Sequence, residues 1–72
     1  MAKYEVLSIN PKTQLLELMP FPTLEQAESH HRTARSEGRL MVEIIDSPAQ
    51  FKEWQRKAQE VVKQLKEAAG PQ

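Results

Sequence analysis

The chain has no cysteine, so neither a disulfide framework nor a thiolate metal site is available to it. Glycine is almost as scarce. Gly38 and Gly70 are the only two, which excludes a glycine-rich loop able to cradle a phosphate. Aromatic residues amount to one Trp, one Tyr and two Phe, and none lies among the arginines of residues 30–39 to stack bases. Charge of one sign is missing too: ten Lys and Arg offset ten Asp and Glu, without the basic excess of a nucleic-acid-binding domain. Apolar runs reach three residues at most, far short of a membrane span. The start, Met1-Ala2-Lys3-Tyr4-Glu5, lacks the apolar core and cleavage site of a signal peptide, so the cytoplasm is the expected location. At 72 residues there is room for one domain, expected over 1–69 with 70–72 as a frayed tail, and for a net stability of only a few kcal/mol.

What is present begins with the last third, Ser47 to Ala69. Phe51, Trp54, Ala58, Val61, Leu65 and Ala68 are spaced three, four, three, four and three apart, and Val62 widens the stripe. That period predicts one long amphipathic helix. Ser47 and Gln50 supply a capping box and Pro48 the first helical position. The helix exceeds the length of a six-residue strand, so its end around Leu65 to Ala69 is expected to overhang.

The N-terminal part reads as a layer of strands with a helix inserted. Lys3 to Asn10 is a first strand, Asn10-Pro11-Lys12-Thr13 a turn, and Gln14 to Met19 a second strand. Pro20 and Pro22 are expected to end pairing there. Thr23 to Gln26 is a capping box opening a helix from Leu24 to about Ser36, closed by Gly38. Its stripe is thin: Leu24, Ala27, His31 and Ala34. Arg39 to Asp46 is a third strand. The expected fold is α+β in the order β-β-α-β-α, a three-stranded antiparallel sheet with the first strand central and the long helix covering one face. The hairpin register is open. One choice groups Tyr4, Val6, Leu16 and Leu18 on one face, with Leu7, Ile9, Leu15 and Met19 on the other, and a one-residue slip regroups them.

Groups with chemical potential point to binding rather than catalysis. His30 and His31 are adjacent on a helix and diverge by about 100°, so they do not chelate one metal. Glu28 and His31 have the Glu-x-x-His spacing of di-metal bundles but lack the second motif. No serine or threonine sits in a nucleophile elbow. Glu5, Glu17 and Glu43 lie on strands, where a carboxylate cluster or plain solvated glutamates are both compatible with the pattern. His30, His31, Arg32, Arg35 and Arg39 crowd ten residues, opposed there by Glu37, and suit an acidic protein surface. The strands are apolar on both faces. If both helices pack on one face, the other exposes some of Leu7, Ile9, Leu15, Met19, Met41 and Ile45; if the helices flank the sheet, these are core. An edge strand is a further docking route, by strand addition. The candidate partner-binding residues are Arg32, Arg35, Arg39, His31, Met41 and Ile45.

The stretch FPTLEQAESHHRTARSEGRLMVEII, Phe21 to Ile45, resembles a pattern of very small phage proteins: a strand, Thr-Leu-x-x-Ala, a short helix, a Gly and a last amphipathic strand. Its anchors are Thr23, Leu24, Ala27, Gly38 and Val42, and in element order it is similar to the small RNA polymerase inhibitors of coliphages. Those carry arginines on the final strand, where this chain has Glu43 between apolar neighbours, and they lack a long C-terminal helix, so the resemblance assigns no contact residue. It implies a small non-enzymatic regulator that binds host RNA polymerase and inhibits transcription by occlusion. Alternatives are an inhibitor of another host complex such as a defence nuclease, or a structural accessory protein self-assembling through the Leu65 end. The expected partner is a protein, with no cofactor, no direct nucleic acid and no membrane contact, and a monomer is favoured over a homodimer.

Overall fold

A computed structural model describes residues 3–68. The last helical residue expected, Ala69, and the tail 70–72 lie outside them. The elements are strands β1 (Tyr4–Ile9) and β2 (Leu16–Phe21), helix α1 (Leu24–Ser36), strand β3 (Leu40–Ile45) and helix α2 (Pro48–Ala68). The three strands form one sheet in the order β2-β1-β3, antiparallel throughout. This is the predicted α+β arrangement, with the first strand central.

The helices flank the sheet. Successive strand residues point to opposite faces, and Val6, Leu7, Ser8 and Ile9 are all buried, so both faces of β1 are covered. On one face Leu7, Ile9 and Ile45 form the core with Trp54 and Ala58 of α2, joined by Leu40, Met41, Phe51, Val61, Val62 and Leu65. On the other, Tyr4, Val6 and Ser8 lie beneath α1, whose His30 ring meets Phe21, the partner of Tyr4, at 5.1 Å between centroids. Ala27 and Ala34 are the buried residues of α1. Two alanines suffice because a side chain this small lets the helix approach the strands closely. Burial along α2 fades from Trp54 and Ala58 through half-buried Val61, Val62 and Leu65 to exposed Ala68, as an overhanging end requires.

Local signals placed the boundaries. Thr23 Oγ1 accepts from Gln26 N (3.2 Å) and Ser47 Oγ from Gln50 N (3.3 Å), while the Gln50 side chain accepts from Asp46 N (2.7 Å). Asn10 Oδ1 accepts from Lys12 N and Thr13 N and folds the hairpin loop over itself. Gly38 ends α1 at φ +84°, a left-handed conformation that glycine adopts at no steric cost.

The structure decides the open register and corrects the bounds expected for the second strand. The hairpin takes the slipped register: Val6 opposes Met19, Leu7 opposes Leu18 and Ile9 opposes Leu16. Met19 therefore shares a face with Val6, and Leu16 and Leu18 share one with Leu7 and Ile9. The four-residue loop sets this, because Gln14 adopts a left-handed φ of 62° that closes Asn10 against Leu15. That loop also delays β2 to Leu16. At its other end β2 runs through Pro20 to Phe21 rather than stopping at Met19. Asn10 N donates to Leu15 O at 3.0 Å, so by alternation Ser8–Glu17, Val6–Met19 and Tyr4–Phe21 are the hydrogen-bonded pairs. Pro20 opposes Glu5 in a non-bonded pair, where its nitrogen faces away from β1 and the missing N–H costs no ladder bond.

Candidate functional site

The two outer strands of the sheet have different edges. Along β2, the alternation that tolerates Pro20 turns the backbone N–H and C=O of Leu16 and Leu18, and the C=O of Pro20, outward. Among the described residues no side chain hydrogen-bonds to them. The side chains beside this open ladder are apolar on both faces: Leu16, Leu18 and Met19 are 39%, 42% and 47% exposed, and Leu15 in the adjoining loop is 63% exposed. On the α2 side, Leu18 lines a shallow groove of about 350 Å³ with Lys3, Glu5, Asp46, Ser47, Pro48 and Phe51.

Glu17 is the one charged residue of β2, and its charge is met. Arg39 lies just before β3, on the far side of β1 from β2. Its guanidinium donates to Glu17 Oε1, while Asn10 Nδ2 donates to Oε2 at 3.5 Å. Arg39 Nε also donates to Glu37 at 3.4 Å. The edge is therefore electrically neutral as well as apolar.

The β3 edge is closed over part of its length, while the N–H and C=O of Ile44, opposite Val6, still turn outward. Leu7 opposes Glu43 and Ile9 opposes Leu40, so two steps of β1 meet three of β3, and a bulge takes Met41 and Val42 out of the ladder. Met41 sits at φ 50°, in the left-handed region. Each freed carbonyl has a partner. Trp54 Nε1–H donates to Met41 O at 2.8 Å from the α2 side, and His31 Nε2–H donates to Val42 O at 3.1 Å from the α1 side. Glu43, Glu53 and Lys57 border this edge. The Glu53 carboxyl is held below its ordinary value by a hydrogen bond from Arg56, then by the charges of Arg56 and Lys57.

The candidates named from sequence thus separate. Ile45 is core and Met41 is half-buried against it, because the helices flank the sheet; neither offers an exposed apolar surface. His31 is half-buried and committed to Val42. Arg39 is engaged by Glu17 and Glu37, which reduces the arginine cluster to Arg32 and Arg35, exposed on α1 without an ion-pair partner among the described residues. Glu5 and Glu43 share one face and Glu17 lies on the other, so the three carboxylates do not cluster. Among the described residues no three potential metal ligands converge, and no helix is long and apolar enough to cross a membrane. Leu16 and Leu18 were missed as surface residues. Their signal was apolar residues at both strand parities beside Pro20, Leu16 and Leu18 on one face and Met19 on the other, the composition of an edge strand with neither face fully covered. No protein-family model, curated protein or solved structure matches this chain.

Proposed function

We propose that this protein acts without catalysis, by docking a protein partner along the open β2 edge. The observation that carries this reading is the combination of outward backbone groups at Leu16, Leu18 and Pro20 with exposed apolar side chains on both faces of one strand. Sheet edges are ordinarily blunted by charged side chains, proline, a bulge or a covering element, and on β2 these amount to Glu17, paired with Arg39, and Pro20 at the far end. A partner's extended segment gains main-chain hydrogen bonds there, with side-chain contacts at Leu18 and Met19 setting specificity. Exposed Arg32 and Arg35 on α1 favour an acidic surface on that partner.

The resemblance over Phe21 to Ile45 supplies the first target, bacterial RNA polymerase, and occlusion as the mechanism. The test is binding of purified polymerase to immobilised protein, together with transcription in the same mixture. Wild type is expected to bind and to inhibit, Leu18→Lys to lose both, and Arg32→Glu/Arg35→Glu to bind more weakly. Absence of binding by wild type rejects the polymerase. Equal binding by wild type and Leu18→Lys rejects the edge.

A further inference from the structure

We infer that, in the absence of another partner, the β2 edge is occupied by β2 of a second copy, giving a two-fold dimer with a continuous six-stranded sheet. This rests on reading the edge as a docking surface and names what docks. The argument is the edge's self-complementarity. Place a two-fold axis beside Leu18, with the strands antiparallel. Leu18 N–H of each copy then donates to Leu18 C=O of the other, a reciprocal hydrogen-bonded pair. Two residues out, Leu16 opposes Pro20, with each Leu16 N–H aimed at a Pro20 C=O. Every outward N–H group of β2 then faces an acceptor. The donor missing is that of Pro20, whose ring faces the Leu16 carbonyl at each outer end of the paired segment, so the strands splay there and the reciprocal Leu18 bonds hold the centre.

Side chains fit the same register. On the α2 side Leu18 meets Leu18, and Leu16 meets Pro20, extending the apolar surface that ends at the Phe51 and Pro48 groove. On the α1 side Glu17 opposes Met19, so no like charges face each other, and Glu17 is already neutralised by Arg39 in its own chain. A register centred one residue earlier puts Glu17 against Glu17. One centred on Met19 pairs Leu18 with Pro20 and loses a donor at the middle of the interface. The Leu18-centred pairing avoids both faults. No lysine or arginine on β2 opposes it. The contact is a single strand pair, well below the area of a permanent dimer, so association is expected to be weak and concentration-dependent.

Sedimentation and light scattering on the full chain, from low to high micromolar, test this. The weight-average mass of wild type is expected to rise from the monomer toward twice that value, and Leu18→Lys to stay monomeric while keeping the wild-type circular dichroism and melting temperature. Because the chain has no cysteine, register can be read separately. Mixed Glu17→Cys and Met19→Cys chains, oxidised with copper–phenanthroline, are expected to form the mixed disulfide in preference to either homodimer, since non-bonded pairs bring Cα atoms to ~4.5 Å. A monomer at every concentration overturns the inference. So does a dimer that Leu18→Lys leaves intact or that Leu65→Glu abolishes instead. If the chain stays monomeric while Leu18→Lys still loses the polymerase, this inference fails and the docking reading stands; a dimer that ignores polymerase does the reverse.

Discussion

The two edges of this three-stranded sheet are made from similar residues and are treated in opposite ways. β2 (LELMPF) and β3 (LMVEII) each have six residues, mostly apolar, with one glutamate. Around β3 the chain spends a bulge, a left-handed methionine and two ring N–H groups, one from each helix, to hold the outer carbonyls of Met41 and Val42, which leaves Ile44 as the outward residue of the regular ladder. Around β2 it spends one proline at the far end. An edge strand with unpaired backbone groups and apolar side chains is a template for another chain. The difference teaches that closure of an edge here depends on helix side chains reaching round the sheet, and only β3 lies within reach of both helices' ring donors.

The largest test of that contrast removes the closure from the α2 side. Trp54 is 3% exposed and forms the centre of the core as well as holding the Met41 carbonyl. Trp54→Ala is expected to cost about 3–5 kcal/mol, enough to leave little folded protein in a domain of this size. Trp54→Phe keeps most of the ring and deletes the donor, and is expected to cost ~1–3 kcal/mol for the unsatisfied carbonyl. Chemical denaturation followed by circular dichroism measures both. If Trp54→Ala melts as wild type does, the stripe of α2 is not the core.

The α1 side is worth less. His31 is half-buried, and water reaches the Val42 carbonyl once the imidazole is gone, so His31→Leu is expected to cost about 1 kcal/mol. Its sharper effect is on the edge: amide exchange along β3 should quicken locally while β1 stays protected. Exchange that changes uniformly through the sheet means that the bond contributes to global stability and not to closing this edge.

How much of this was legible in the sequence follows from the range of the signals. α1 and α2 were readable because Thr23, Ser47, Pro48 and Gly38 act within one turn of themselves, and the 51–65 stripe repeats often enough to fix its face. The strand order was readable from the hairpin and the single crossover helix. The register was not, since it hangs on the left-handed conformation of Gln14, a residue with no special preference for it. Neither was the bulge, because Met41 carries no glycine or asparagine signature and is held by the Trp54 bond from thirteen residues away. The candidate site failed for the same reason. Alternation showed that both strand faces are apolar, but which of those residues a helix covers is decided by packing. Leu7, Ile9 and Ile45 became core, and Leu16, Leu18 and Met19 stayed outside.

Arg39→Met addresses the neutrality of the open edge. Arg39 and Glu17 are both a quarter or more exposed, so the pair is expected to contribute less than ~1 kcal/mol to folding. Its loss leaves Glu17 charged and unpaired next to the edge. The expected outcome is a melting temperature close to wild type together with weaker self-association, partly restored by Glu17→Gln in the same chain. Association unchanged in Arg39→Met separates the ion pair from the edge and confines it to tying β2 to the segment that enters β3.

The smallest expected effect on stability belongs to the residue with the largest expected effect on association. Leu18 is 42% exposed, and a lysine there keeps its stem on the groove beside Phe51 while its ammonium reaches water, so Leu18→Lys is expected to shift stability by less than ~1 kcal/mol. Hydrogen exchange resolved by residue makes the comparison within one strand. At low concentration the Glu17 and Met19 amides, bonded to β1, should be protected, while those of Leu16 and Leu18 exchange freely, an alternation of period two. Raising the concentration should protect Leu16 and Leu18 in wild type and leave them exchanging in Leu18→Lys. The outward Ile44 amide of β3 should respond to concentration in neither chain, because the bulge and the carbonyls held by Trp54 and His31 leave a single outward residue there, too short a ladder for a second strand. Concentration-dependent protection on β3 and not on β2 would exchange the roles assigned to the two edges.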